Sequence, residues 1–324
     1  MQYILIDMFR FGLPYAILAL GIFISYRVLD VADLSCEGTF TLGGALSSVL
    51  LVLGVNPFLA TLIGMSAGFI AGVITGLIHT KLKITALLSG IITMTGLFSI
   101  NMVIMGFAPS VSKIGDEVIL KYSTSGYSAN VYLNGLNVSG NKIQTIYESF
   151  LAIFSKNNYN MIFISLLIVL LIGLVVYWFF GTEIGMSIRS TGINPNMSRA
   201  QGINTNAMII LGLGIANALI SLSGALFAQT QGNASNQMGV GVLVIGLASI
   251  IIGEGVFGKR TFKNWMISVL LGAILYYLII VIAIQLGLPS HYQKLLYALL
   301  ILIVLAIPRL RKLLLKGGKK HVNA

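Results

Sequence analysis

Charge is what this sequence has least of. Only 9% of its 324 residues are Asp, Glu, Lys or Arg, against about 25% in soluble domains, and 57% are hydrophobic. A chain so poor in charge cannot cover a water-exposed surface, and it reads as an integral membrane protein. The single cysteine, Cys36, excludes an internal disulfide and a thiolate metal cluster. Three histidines, His79, His291 and His321, lie far apart and form no ligand pattern. A net charge of +11 would point to nucleic acid in a soluble protein. Here the basic residues sit between and after apolar runs, where they orient a membrane protein. The first residues do not read as a cleavable signal peptide, since Asp7 and Arg10 precede the apolar run and no small-residue cleavage site follows it.

What the sequence has in quantity is apolar runs: Phe9–Leu29, Phe40–Leu53, Phe58–His79, Ile84–Phe107, Met161–Phe180, Met208–Ala228, Val240–Phe257, Trp265–Leu286 and Leu295–Ile307. A span needs about 20 residues, so the second, seventh and ninth runs are short. The expected fold is all-α, a polytopic membrane protein of about 8–10 transmembrane helices. It includes a broken or re-entrant element around Asp30–Leu53 and a small external insertion. The 36 glycines suit close helix packing in a bilayer.

Arg27, Asp30, Asp33 and Glu37 crowd the chain just before the short second run. Charges near the bilayer interior are costly and mark function more often than decoration. Ser35 or Thr39 could cap a helix beginning near Thr41, aiming its positive end at an anionic ligand group. A loop tethered by a Glu37–Arg27 pair is the structural alternative. Further on, the uncharged polar stretch Gln229–Gln237 follows a span and suits hydrogen bonding to a small solute; a plain external loop is its alternative. Glu37, Thr39, Gln229, Gln231, Asn233 and Asn236 are therefore the candidate translocation-path residues.

Between the fourth and fifth runs lies one long polar region, Ala108–Asn160. Val118–Tyr122 and Ala129–Leu133 are strand-like, Asn134-Gly135 is a hairpin turn signal, and Ile143–Phe154 has helical spacing. A small hairpin-plus-helix on one membrane face is expected. If the polar segment Glu183–Ala207 is cytoplasmic, alternation puts 14 basic residues inside and six outside. The inside set runs from Arg27, Lys81 and Lys83 to Lys319 and Lys320; the outside set is Arg10, Lys113, Lys121, Lys142, Lys156 and Lys294. That bias supports the orientation and places Ala108–Asn160 outside. The tail Arg309–Lys316 is basic and amphipathic, suited to an anionic leaflet. Gly253–Thr261 nearly matches the phosphate-binding G-x4-G-K-[ST] pattern, but Arg260 stands where the magnesium-binding hydroxyl belongs and no strand precedes it. It is not read as a nucleotide site.

Glu183–Ala207 is flanked on both sides by runs of spanning length. Gly192-Ile193-Asn194-Pro195 reads as a turn, because Pro195 disfavours helix at Asn194. Short surface helices are expected on either side, with Asn196 or Ser198 starting the second; an ordinary loop is the alternative.

Three stretches carry a resemblance. Gly185-x3-Arg189-x2-Gly192-x-Asn194-x4-Ala200-x-Gly202-Ile203-Asn204 resembles the cytoplasmic coupling segment of ABC-importer permeases of the branched-chain amino acid, ribose and nucleoside type. Asp33-Leu34-Ser35-Cys36-Glu37-Gly38-Thr39-Phe40-Thr41-Leu42-Gly43-Gly44-Ala45 resembles a motif of one branch of that family, linked to binding proteins for tryptophan and tyrosine. Gly253–Thr261, with the runs after it, resembles the end of the same branch. The resemblance covers about Phe11 to Pro308, except Ala108–Asn160.

That likeness implies a single transmembrane permease domain over residues 1–324, with 108–160 an extracytoplasmic insertion and 183–207 the coupling segment. It implies a second permease copy (a homodimer), two ATP-binding subunits, an extracytoplasmic substrate-binding protein and surrounding membrane lipid, but no nucleic acid, cofactor, metal or catalytic residue. Gly185, Arg189, Ser190, Gly192, Asn194, Arg199, Ala200 and Gly202 would couple to the ATPase. The location implied is the bacterial plasma (inner) membrane, with the C-terminus cytoplasmic, and the solute is amino-acid-like. The rival classes are an ion-coupled secondary transporter, with Glu37 or Glu254 carrying the proton, and a membrane-embedded enzyme, for which no nucleophile–base pair is present.

Overall fold

Backbone groups inside a bilayer must satisfy one another, so apolar runs of spanning length become helices. The computed structural model describes residues 2–108, 110–114, 117–121, 128–133, 137–138, 141–142, 145–151 and 158–285. The first eight runs are helical there. They are α1 (Gln2–Phe23), α2 (Cys36–Val52), α3 (Pro57–Lys81), α4 (Ala86–Gly106), α6 (Asn158–Gly181), α9 (Thr205–Gln231), α10 (Val242–Phe257) and α11 (Phe262–Gln285). Among the described residues six helices are long and apolar enough to span, while α2 and α10 are shorter. The chain is thus an all-α polytopic membrane protein. The run Leu295–Ile307 and the tail Arg309–Lys316 lie outside the described residues, as does the Asn134-Gly135 turn.

Three further helices are short: α5 (Ile146–Leu151), α7 (Glu183–Ile193) and α8 (Pro195–Ala200). The polar region after α4 also contains strands β1 (Ser110–Ile114), β2 (Glu117–Lys121), β3 (Asn130–Tyr132), β4 (Asn137–Val138) and β5 (Asn141–Lys142). β1 and β2 form an antiparallel ladder running from Ser110 opposite Lys121 to Ile114 opposite Glu117. β3 does not pair with β4 across the expected hairpin. It pairs antiparallel with β6 (Asn233–Ser235), the strand that follows α9. Hairpin propensity gave way because β6 presents its edge beside β3, and Val131 and Ala234 bury there against Met105 and Ala228.

The bundle has an inverted internal arrangement. α1 and α9 are both long, and both end in an irregular descent followed by a short helix, α2 or α10, and then a long one, α3 or α11. α3 packs on α9 as α11 packs on α1. α1 begins where Arg10 Nη2 donates to Thr230 O (2.9 Å), near the C-terminus of α9, so the two helices run in opposite directions. The descent after α1 opens with a π-helical turn, Ile24–Val28, and a left-handed Asp30 (φ 56°). The descent after α9 opens with Gly232 in the same region (φ 78°). Short helices entered at mid-depth are how a polar backbone is kept inside a bundle, since lipid offers it no partners.

α9 is the core helix. Gly43 of α2 lies against the Ser221 carbonyl, Gly72 of α3 against Leu213 O, and Gly224 of α9 against Phe40 O. A Cβ at any of these positions would overlap a backbone carbonyl, so α2 and α3 approach α9 more closely than larger residues allow. Tyr15, Phe40, Phe227 and Tyr277 stack between α1, α2, α9 and α11 with ring centroids 5.1–6.3 Å apart.

Candidate functional site

Three places carry the polar chemistry: the α7–α8 end, the mid-depth junction of α2, α9 and α10, and the α5 end.

At the α7–α8 end, Thr182 caps α7, its hydroxyl accepting from Gly185 N (3.3 Å). Asn194 ends α7 and starts α8. Its φ of −153° breaks the helix, and its side-chain oxygen accepts from Asn196 N and Met197 N, each at 3.1 Å. The cap is therefore Asn194 and not the expected Asn196 or Ser198: Pro195 occupies the first helical position, which moves the cap to the residue before it. Ser190 and Ser198 join the two helices through their hydroxyls (2.7 Å), and Arg199 Nε donates to Thr205 Oγ1 (2.8 Å) at the start of α9. Gly185 packs on Phe179 O and Gly192 on Val28 O, where the π-turn ends, so neither has room for a side chain. Arg189 lies 4.2 Å over the Phe262 ring. Gly202 turns the chain with φ 83°, and Ala200 is exposed at the end of α8. The eight coupling candidates thus form one ordered corner tied to α1, α6, α9 and α11. Its outer surface carries four large apolar side chains at least half exposed, Ile184, Met186, Ile193 and Met197, among exposed Glu183, Asn194, Asn196 and Arg199.

At mid-depth α2 starts earlier than expected, at Cys36, and Thr39 lies inside it. Ser35 is the N-cap position, as expected, but its side chain makes no cap hydrogen bond; Asp33 Oδ1 instead accepts from Ser35 N (2.8 Å), holding the turn that leads into α2. Thr39 instead donates to Asn217 Oδ1 (2.6 Å), and Asn217 Nδ2 donates to Asp33 Oδ2 (2.7 Å). All three are buried. Glu37 is half-buried and accepts from Gly241 N (3.0 Å), which caps the first turn of α10. The Glu37–Arg27 tether is absent. Arg27 Nη2 meets Glu254 Oε2 at 2.8 Å, and Glu254 Oε1 also accepts from Trp265 Nε1 (2.8 Å). Lys259 and Arg260 follow the end of α10, in a turn between two helices rather than a strand-to-helix phosphate loop.

At the α5 end Gln229 is buried and fully engaged. Its Nε2 donates to Ser47 Oγ (2.8 Å) and Thr61 Oγ1 (2.9 Å), and its Oε1 accepts from Ile146 N (2.9 Å). Tyr147, hydrogen-bonded to Thr230 and Ser165, is buried beside it, and burial pushes its phenol pKa up. Gln231 is exposed and Asn233 half-buried in β6; Asn236 is buried, its N–H bonded to Ala129 O at 2.8 Å and its Oδ1 unpaired among the described residues. The six path candidates are thus spread over two levels, with Thr39, Gln229 and Asn236 inside the protein.

Sequence reading missed Asn217, Trp265 and Arg10. Asn217 carried a legible signal, an amide in the middle of an apolar run. Nothing local marked the partners of Trp265 or Arg10.

A glycine-packed helical bundle with two half-depth helices and one ordered surface corner defines an integral membrane permease subunit. Residues 4–305 match the family described as branched-chain amino acid transport system, permease component, and the chain belongs to that family of ABC-type permeases. It is 34% identical to the tyrosine transport system permease protein of Clostridioides difficile (strain R20291), over 96% of this chain and 93% of that one. It is 22% identical to the ribose import permease protein of Escherichia coli (strain K12), over 90% and 81%. No solved structure matches it significantly.

Proposed function

We propose that the chain is the translocation subunit of an ATP-driven importer, working as a homodimer with two ATP-binding subunits and an extracytoplasmic substrate-binding protein in the bacterial plasma membrane. The observation that carries this reading is the α7–α8 corner. A carrier acting alone has no use for a rigid surface element that exposes Ile184, Met186, Ile193 and Met197. A groove on an ATPase would cover them.

Gly185, Arg189, Ser190, Gly192, Asn194, Arg199, Ala200 and Gly202 give the corner its shape, so motion of the ATPases passes through Gly192 to the end of α1 and through Arg199 to α9. In this scheme residues 1–324 form one permease domain, 183–207 is the cytoplasmic coupling segment, 108–160 is an extracytoplasmic insertion, and the C-terminus is cytoplasmic. The solute is amino-acid-like, in keeping with the tyrosine named for the C. difficile relative. It passes Gln231 and Asn233 at the outer end and Glu37 at mid-depth, while Gln229 and Asn236, buried near the outer end, and Thr39, buried at mid-depth, reach the path when the bundle opens.

Glu37 and Glu254 do not favour a proton-coupled carrier. The first caps α10, and the second is paired with Arg27 and Trp265.

The test is reconstitution with the partner ATPase. Ile193→Asp with Met197→Asp should abolish ATPase association while the chain still inserts and stays monodisperse. Unchanged association would refute the coupling reading.

A further inference from the structure

The α7–α8 end holds more cations than carboxylates: besides Glu254 it has Asp30 and Glu183, both exposed, and neither forms an ion pair among the described residues. Arg27–Glu254 is the sole ion pair among the described residues, which leaves Arg189, Lys259, Arg260 and Lys263 without an acidic partner there. The sequence beyond Glu254 contains no Asp or Glu. A groove of about 440 Å³ runs between the end of α6 and the starts of α7 and α11, lined by Tyr177, Trp178, Thr182, Arg189, Thr261 and Lys263 among others. A second cavity, about 140 Å³, shares Arg189, Thr261 and Phe262 with it and adds Arg27, Lys259, Arg260 and Trp265. No acidic residue lines either one. α11 begins at the groove with no acidic residue in its first turn, so its positive dipole end adds to the side-chain charge.

We propose that this groove holds the phosphate headgroup of an anionic membrane phospholipid. Charge alone would equally suit free phosphate, but two observations select a lipid. Trp178 is 70% exposed beside the groove, and Tyr177 neighbours it, which is how aromatic side chains sit at headgroup level. From the same helix, Phe163, Leu166, Leu167, Leu170, Leu171, Leu174 and Val175 line an almost wholly apolar furrow of about 420 Å³, suited to an acyl chain. Headgroup and chain sites therefore lie on one helix, in the order a lipid needs. The headgroup would bridge Arg189 on α7 and Lys263 on α11, so an occupied site holds the corner against the bundle. That effect on coupling rests on the proposed function; the binding itself does not.

The test uses the full chain in phosphatidylcholine nanodiscs, with retained lipid counted by native mass spectrometry after adding phosphatidylglycerol of matched acyl chains. The wild type should retain phosphatidylglycerol about thirtyfold or more over phosphatidylcholine, the scale expected for two or three cations at a surface. Lys263→Glu with Trp178→Ala should erase that preference. Both residues are exposed, and an unchanged melting temperature in pure phosphatidylcholine would confirm the fold. Lys81→Glu, an exposed charge at the end of α3, should leave the preference intact. Preference surviving in Lys263→Glu/Trp178→Ala, or lost equally in Lys81→Glu, would overturn the site. Displacement of the lipid by millimolar inorganic phosphate would replace it with a free-anion site. Because no ATPase is present, this outcome is independent of whether the coupling reading holds.

Discussion

Asn217 Nδ2 donates to Asp33 Oδ2 at 2.7 Å, in the middle of the bundle and with both residues buried. The same amide oxygen receives Thr39 (2.6 Å) and Ser35 (3.3 Å), and Asp33 Oδ1 receives Ser35 N (2.8 Å). One side chain of α9 thus fixes the loop that enters α2. In a low-dielectric interior a satisfied network of this kind specifies a single arrangement, and a half-satisfied one is costly.

Asn217→Leu should therefore destabilise the protein by about 1.5–3 kcal/mol, the range for losing hydrogen bonds to a buried carboxyl group. Asn217→Gln should recover little, because its longer side chain cannot meet three partners at these distances. Thermal unfolding of the purified protein reads the effect. A melting temperature unchanged in Asn217→Leu would mean the network carries no stability.

Arg27 and Glu254 join the end of α1 to the end of α10, with side chains 31% and 13% exposed. Partial exposure limits the pair to about 1 kcal/mol of coupling energy. Single Ala variants should each cost more than that, because each strands its partner, and Arg27→Ala leaves Glu254 with Trp265 alone. A double-mutant cycle on thermal stability that came out additive would show the two side chains to be independent.

How much of this was legible in the sequence depends on distance along the chain. The apolar runs told of α3, α4, α6, α9, α10 and α11, because inside a membrane hydropathy and helix are nearly the same statement. Pro195 foretold a break at Asn194, although the cap it creates fell at Asn194 itself and not at Asn196 or Ser198. Pairings across long separations were not legible. β3 found β6 instead of β4, and Arg27 found Glu254 instead of Glu37, because propensity describes neighbours and says nothing about what the fold brings alongside. The motif around Glu37 was recognised, but not that its carboxylate accepts from Gly241 N at the start of α10. Only the second half-helix, invisible from the first, reveals that.

Sidedness has its own test, which begins by replacing the buried Cys36. Asn130→Cys on β3 and Ile193→Cys on α7 are both exposed positions at opposite ends of the bundle. An impermeant maleimide should label Asn130→Cys in intact cells and reach Ile193→Cys only after permeabilisation. The reverse pattern would invert the orientation derived from the basic residues.

Gly192→Ala should separate transport from folding. Its Cβ would meet Val28 O at the end of the π-turn, which pushes α7 away from α1 while leaving α7's own hydrogen bonds intact. Inserted protein at wild-type levels with solute uptake reduced tenfold or more is the outcome expected if binding energy at the corner must reach α1 through a rigid contact. Undiminished uptake would show that the contact transmits nothing.

The last prediction concerns affinity for the solute. Gln229 spends both ends of its amide on Ser47, Thr61 and Ile146, Thr39 is bound to Asn217, and Glu37 is bound to Gly241. Among the path candidates this leaves Gln231, Asn233 and the unpaired oxygen of Asn236, which are too few and too far toward one end to enclose a zwitterion. Weak sites also suit a channel that receives its cargo from a separate binding protein, because tight binding midway would slow release. Isothermal calorimetry of the isolated chain against amino acids, sugars and nucleosides should therefore detect no binding tighter than about millimolar, or about −4 kcal/mol. Uptake in reconstituted vesicles should require the partner proteins. Micromolar binding that disappears in Glu37→Gln, with uptake by the chain alone, would instead mark a self-sufficient carrier whose site opens at the junction of α2 and α10.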